Sequence, residues 1–197
     1  MSSEIKSTTV QTNSLKDKTG TRVLASDSGS AWSWGSGVPA NTIINITQNQ
    51  FATECEAGGP SSTANVFYSY SPAVTCTINN CQTGSKILIS CFLHLSCDEN
   101  NRAVKIRLID KTNSDAVIGT EGSGGLFGAY QQNINYGGVP VSYEILYTPP
   151  SFNSGSFQVE VQGAVDDAGE KSFINQSDAG GSSREFSSNI ILKEIAG

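Results

Sequence analysis

This 197-residue chain has little of what catalysis usually needs: it contains one histidine, and charged residues make up only 15% of it. The single histidine, His94, excludes a metal site built from several imidazoles, and no nucleophile-elbow motif is present. Glu121–Gly125 is rich in glycine, but no helix is predicted after it to form a phosphate site. Paired carboxylates for glycoside cleavage stay open, since no particular pair stands out. We therefore expect a non-enzymatic protein without a cofactor.

Nucleic acid and membrane are also disfavoured as partners, because the chain lacks a basic excess and long apolar runs. The net charge is −6, so the chain has no basic excess with which to neutralise a phosphate backbone, and we expect no nucleic-acid binding. Met1–Val10 is polar. No apolar run approaches the roughly 20 residues that span a bilayer. The sequence therefore predicts no signal peptide, no membrane insertion and synthesis in a cytoplasm.

The cysteines number five, an odd count that argues against a disulfide framework. Cys76, Cys91 and Cys97 alternate with or adjoin apolar residues and are predicted to be small core hydrophobes. The alternative is a metal site built from these three and Cys81. It is disfavoured because no two of these cysteines have the paired two-residue spacing, and we predict no metal.

Alternation of apolar and polar residues dominates the rest of the chain and predicts an all-β protein, an antiparallel β-sandwich of jelly-roll type. Thr53–Ala57 could hold one helical turn. Glu160 is expected on the polar side of its strand, opposite Val159 and Val161. The predicted strands are Thr42–Gln48, Asn65–Tyr70, Val74–Ile78, Lys86–Cys97, Ala103–Ile109, Asp115–Gly119, Ser142–Tyr147, Ser156–Gln162, Lys171–Asn175 and Asn189–Ile195.

The segment Thr120–Pro140 is predicted to be a long loop, and loops of this length are often functional. Its aromatic residues Phe127, Tyr130 and Tyr136 have two interpretations. They pack down as a cover over one end of the sandwich, or they form a contact surface for a sister subunit or a glycan.

Residues 1–37 form an extended N-terminal arm ahead of a sandwich domain at 38–197. Half of the arm is Ser, Thr or Gly, so alone it buries too little apolar area to offset its ordering entropy. A short β-hairpin is predicted, with Asp17 opening its turn and Gly20 closing it. The arm's candidate contact residues are Leu15, Val23, Leu24, Trp32 and Trp34.

The two tryptophans are two residues apart, so in an extended segment both indoles face the same way. Three interpretations remain open: they attach the arm to its own domain, they contact another subunit, or they stack on a sugar.

Taken together, four segments resemble a family of small structural proteins of tailed bacteriophages, the tail-fibre or virion structural proteins. The likeness covers most of the chain, although the cysteine-rich core strands and the Trp32/Trp34 pair depart from the family pattern. The segments are Asn13–Asp17 through Gly20-Thr21, Gly84–Ser90, Phe173–Ser177 and Ser188–Ile195.

The resemblance implies an all-β fibre or appendage subunit of the virion, a homotrimer whose arm docks to other virion proteins. Assembly would take place in the host cytoplasm, and the subunit would contribute to host attachment, with a host-surface glycan as a candidate ligand. The candidate receptor contacts are the Thr120–Pro140 loop and the turns near Asp98–Asn101 and Asp166–Lys171. A trimer is expected to bury the apolar residues that alternate outward, namely Leu88, Phe92, Ile109 and Leu146.

Three other functions remain. A capsid decoration protein would clamp the shell with its sandwich and connect neighbouring subunits with its arm. A free carbohydrate-binding module would bind glycans as a monomer. A glycan depolymerase would need a carboxylate pair in a groove.

Overall fold

The computed structural model of this chain consists of β-strands and connections, with no helix among the residues it describes. For residues 14–16, 22–27, 31–34 and most of 127–131 only the backbone is described. Among all the residues that the structure describes, no helix is long and apolar enough to cross a membrane. The described residues are 14–16, 22–27, 31–34, 40–99, 101–119, 127–131, 138–176 and 186–197.

The arm contains a small antiparallel sheet of its own, in the order β1–β2–β3. Strand β1 (Ser14–Lys16) pairs with β2 (Arg22–Asp27) so that Leu15 lies opposite Leu24, as the predicted hairpin requires. The sequence did not predict that β3 (Ala31–Trp34) adds to the other edge of β2. The proposed turn residues Asp17 and Gly20 lie outside the described residues.

Twelve strands follow, and they form two six-stranded antiparallel sheets that pack face to face as a β-sandwich. This confirms the predicted fold class. The strands are β4 (Ile43–Phe51), β5 (Cys55–Gly58), β6 (Tyr68–Ser69), β7 (Thr75–Ile78), β8 (Lys86–Cys97), β9 (Arg102–Asp110), β10 (Ala116–Ile118), β11 (Phe127–Gln131), β12 (Val139–Tyr147), β13 (Phe157–Val165), β14 (Lys171–Ile174) and β15 (Ser188–Ile195).

The first sheet is organised around β8, the longest strand. Strand β12 pairs along one edge of β8, while β15 and β14 share the other edge. Beyond them lie β4, which pairs with β15, and β5, which pairs with β14. Over most of its length the sheet therefore has the order β12–β8–β15–β4.

The second sheet is organised around the pair β9 and β13. Strands β10 and β11 pair with the outer edge of β9, and β7 and β6 pair with the outer edge of β13. Asn45 and Asn49 of β4 reach across to this sheet, and their side-chain amides donate to the carbonyls of Asn79 and Thr75, each at 2.7 Å. These hydrogen bonds cover part of an edge that would otherwise offer free backbone groups for pairing.

The core lies between the two sheets, and the alternation in the sequence predicted its inward positions correctly. In β8 the buried series contains Ile87, Ile89, Leu93 and Leu95, each 0% exposed. The predicted core cysteines are buried too. Burial raises the pKa of the Cys91 thiol to about 12, so this residue is an uncharged hydrophobe at neutral pH.

Several local predictions were wrong. Cys55–Gly58 is strand β5 rather than a helical turn, because it pairs with β14. Only Tyr68–Ser69 of the predicted strand Asn65–Tyr70 pairs with a neighbour. The predicted loop Thr120–Pro140 contains β11, which pairs with β9, and the start of β12. Glu160, by contrast, lies on the opposite side of β13 from Val159, as predicted, and it is buried at 5% exposure because β7 and β9 flank it.

Candidate functional site

The outward side of the first sheet carries several of the exposed large hydrophobic residues of the described chain. Residues directly opposite each other in antiparallel strands point to the same side of a sheet, so the register defines three rows of four side chains across β12, β8, β15 and β4. We call these twelve positions the apolar face: Leu146, Leu88, Lys193 and Ile46; then Glu144, Ser90, Ile191 and Gln48; then Ser142, Phe92, Asn189 and Gln50.

Large hydrophobic side chains are exposed on the apolar face. Ile46 is 60% exposed, Leu146 is 51% exposed and Phe92 is 42% exposed. Ile43, at 45%, extends the exposed surface along β4. Glu144 and Lys193 are the two charged residues of the face. Exposed apolar surface of this kind, low in charge, is typical of protein–protein contacts.

The outward side of the second sheet has the opposite character, because its polar side chains bond to one another. Arg107 Nε donates to Gln162 Oε1 at 2.7 Å, and Gln158 Nε2 donates to Thr77 Oγ1 at 2.9 Å. The Arg107 guanidinium also lies 4.8 Å from the centre of the Phe67 ring. The outward side of the second sheet therefore has the character of a surface exposed to water. The apolar face is better suited to contact with another protein.

The structure tests the four residues expected to point outward and be buried in a trimer. Leu88, Phe92 and Leu146 are on the apolar face, as predicted. The prediction for Ile109 was wrong: it is 1% exposed and lies on the second sheet, between its strand partners Glu160 and Val117.

Sequence reasoning missed Ile43 and Ile46. The strand Thr42–Gln48 was predicted, but that this strand follows β15 in the first sheet depends on long-range pairing. No local signal in the sequence indicates that its isoleucines join the same surface as Leu146.

An aromatic cluster that includes Phe92 borders the apolar face, and a groove lies within the face. The His94 ring stacks on Phe186, with centroids 4.9 Å apart, and meets the edge of Phe92 at 5.4 Å. Beside Phe92 is a groove of about 350 Å³, whose lining includes Ile191, Ser142 and Glu144.

The two turns proposed as receptor contacts meet at one end of the sandwich. The backbone N–H of Lys171 donates to Asp98 Oδ1 at 2.8 Å. Arg102 Nη2 lies 2.7 Å from Asp167 Oδ2 and 3.4 Å from Glu99 Oε2. The structure therefore gathers side chains from Asp98–Asn101 and Asp166–Lys171 into one acidic corner around a single guanidinium.

Glu170 is the carboxyl of this acidic corner whose pKa is raised. Burial, a hydrogen bond with Asp98, and the charges of Asp98 and Glu99 raise the pKa of Glu170 to about 7. Glycoside hydrolysis requires two carboxyl groups about 5 Å or more apart. Asp98 and Glu170 share a hydrogen bond, so this pair lacks that geometry.

We predict that Glu170→Gln reduces the loss of stability between mildly acidic and mildly alkaline pH. Because its folded pKa is raised, Glu170 contributes stability that is fully present below its unfolded pKa and is lost as pH rises through about 7. The melting temperature of the parent protein should fall from about pH 5 to about pH 8, and that of the variant should fall less. Glu56→Gln, which removes the partner of Lys171 at 2.9 Å, is the matched control and should keep the parent's pH dependence. Parallel curves for the parent and Glu170→Gln would contradict the assignment.

The other proposed contact residues fall on strands. Leu15 is in β1, Val23 and Leu24 are in β2, and Trp32 and Trp34 are in β3. Phe127 and Tyr130 are in β11, and Tyr136 lies outside the described residues. Their contacts stay predictions. Within the described ranges, no three His, Cys, Asp or Glu side chains are grouped so that they could hold a metal ion.

Comparison with known proteins gives distant structural likenesses only. No protein-family model matches the sequence, and a search of the curated proteins gives no significant match. The subviral particle of infectious bursal disease virus VP2 is similar with a TM-score of 0.41 and 9% identity, over 90% of this chain and 47% of that one. The enzymatically active domain of bacteriophage CBA120 tailspike protein 4 gives 0.28 and 14%, over 79% and 20%.

A third likeness is to dimeric latent PorU from Porphyromonas gingivalis, with a TM-score of 0.34, 9% identity, and coverage of 81% of this chain and 14% of that one. This chain spans less than half the length of each of these three structures. The weak neighbours thus include a protein of a viral particle and a phage tailspike domain.

Proposed function

We propose that this protein is a non-enzymatic structural subunit of a bacteriophage virion, a fibre or appendage subunit that assembles as a homotrimer through its apolar face. The arm at residues 1–37 attaches it to other virion proteins, and the sandwich projects and contributes to host attachment. The observation that carries the proposal is the apolar face, with Ile46, Phe92 and Leu146 between 42% and 60% exposed on one sheet.

Burial of the apolar face would supply the energy for assembly. Covering a half-exposed Leu, Ile or Phe side chain contributes on the order of 1 kcal/mol. Each copy provides Leu146, Ile46, Phe92 and Ile43, and in a closed ring every copy both gives and receives such contacts. The combined gain is comparable with the roughly 4–15 kcal/mol cost of association.

Charge favours the same surface. The chain carries a net charge of −6, so copies repel each other over most of their surface. Glu144 and Lys193, one of each sign, are the charged residues of the apolar face, so contact through this face brings no excess of like charge together. Three copies together would also let weak contacts with a host surface act with high avidity.

Light scattering on the full-length protein tests the proposal. We expect a particle of three times the 20.7 kDa chain mass. Antibody labelling of purified phage particles should then mark the tail for a fibre subunit or the head for a decoration protein. A monomer at micromolar concentration, together with unlabelled particles, would contradict the proposed function.

A further inference from the structure

The groove beside Phe92 is the most specific feature of the apolar face. Phe92 and Ile191 provide its apolar surface, and Ser90, Ser142, Glu144 and Asn189 contribute polar groups. Its volume is about 350 Å³. A cavity of about 150 Å³ accommodates a benzene ring, so this groove has room for a larger aromatic side chain.

We propose that this groove receives a tryptophan of the N-terminal arm, from the segment Ala31–Trp34 of a copy in the same assembly. The chain contains two tryptophans, Trp32 and Trp34, and both are in this segment. The arm has too few apolar residues to be ordered alone, and a single indole can bury about 150–250 Å². Docking therefore supplies the arm with the burial it lacks and covers the apolar centre of the face.

The polar groups of the groove favour indole over an aliphatic side chain. A buried indole N–H needs a hydrogen-bond acceptor. Ser90 Oγ donates to Glu144 Oε2 at 2.6 Å, which leaves the second carboxylate oxygen of Glu144 without a hydrogen bond among the described residues. This oxygen is available to accept from the indole, while the ring packs on Phe92 and Ile191.

The arm joins the sandwich at the first sheet, which is the sheet that carries the groove. Asn41 N donates to Ala196 O and Ala196 N donates to Thr42 O, each at 2.9 Å, so the chain joins the first sheet at the end of β15. Along β15, Ile191 lies about 16 Å and Asn189 about 23 Å from that point. Trp34 is six residues before Ala40 and reaches about 20 Å when extended. The arm is therefore long enough to place an indole in a groove of this sheet.

Tryptophan fluorescence tests the inference on the full-length protein, because all of the signal comes from the arm. The variants Trp32→Phe and Trp34→Phe each keep a single indole. In one of the two variants, we expect that indole to be shielded from acrylamide. Phe92→Ser should raise the quenching constant of that indole about threefold or more. Ser142→Arg, at an exposed position, should have the same effect by blocking the groove without removing any packed atom. Val117→Ser, on the second sheet, is the control and should leave quenching unchanged.

Quenching that is equal in the parent, Phe92→Ser and Ser142→Arg would overturn the inference. The inference rests on the proposed function only for the assembly that brings the arms and the apolar faces together. The results that reject the groove differ from the results that reject the proposed function. A trimer with groove-independent quenching retains the function and rejects the groove. A monomer whose quenching responds to both groove variants supports the groove, with the arm of the same chain as its occupant, and rejects the trimer.

Discussion

Replacing Leu146 and Ile46 together with aspartate is expected to convert the proposed homotrimer into monomers. The two residues are 51% and 60% exposed in a single copy and lie in the same row of the apolar face. In an assembly, the new carboxylate at position 146 would be buried against apolar side chains of a neighbour, which costs several kcal/mol for an unpaired charge, and the change at position 46 removes a second apolar contact. We expect the dissociation constant to rise by about a thousandfold or more, since each 1.4 kcal/mol corresponds to a factor of ten.

Light scattering over a dilution series measures this effect. The double variant Val66→Asp with Val117→Asp is the matched control, because these residues are 43% and 37% exposed but lie outside the apolar face. It adds the same charge to the chain and should leave the molar mass of the parent unchanged. If both double variants dissociate equally, net charge rather than the apolar face governs assembly.

Phe157→Ala is expected to have the largest effect on the fold itself. Phe157 is 0% exposed in the core between the sheets, and its ring centroid lies 5.9 Å from that of Tyr147. Removing a buried phenylalanine side chain leaves a cavity and typically costs about 3–5 kcal/mol. That is a large part of the stability of an ordinary domain, about 5–15 kcal/mol.

Denaturant unfolding at a fixed protein concentration measures the loss of stability, since the proposed assembly would make apparent stability depend on concentration. Val66→Ala, at a 43% exposed position, is the control and should change the unfolding free energy by about 0.5 kcal/mol or less. A Phe157→Ala protein that unfolds at the parent's denaturant concentration would show that this core position contributes little.

Alternation was a reliable guide where a strand is long and one side of it is buried. The bounds of β8, Lys86–Cys97, follow from the sequence alone because Ile87, Ile89, Leu93 and Leu95 face the core. The same alternation indicated Leu88, Phe92 and Leu146 as outward apolar residues, and these three residues belong to the apolar face.

Short strands formed by long-range pairing could not be predicted in this way. Strand β5 contains Glu, Ala and Gly, which are poor strand formers, and it is extended because β14 pairs with it. Strand β11 contains Gly128 and lies inside Thr120–Pro140, which the sequence indicated as a loop. A Cβ at this position would collide with the carbonyl oxygen of Val104, so glycine here permits the close approach of two strands.

The sites were harder to predict than the strands, because each depends on which strands are neighbours. Ile46 joins Leu146 on one surface only through the order β12–β8–β15–β4. The acidic corner likewise depends on Asp98 and Glu170 meeting across 72 positions of sequence. Ile109 has the alternation of an exposed residue, but its strand neighbours cover it.

Site-specific photo-crosslinking tests the central claim, assembly through the apolar face, most directly. A photoreactive amino acid would replace Leu146 in one full-length protein and Val117 in another, and the products would be separated by mass under denaturing conditions. We predict covalent dimers and trimers from position 146 and monomers from position 117. Monomers alone from position 146, or equal crosslinking from both positions, would contradict the claim.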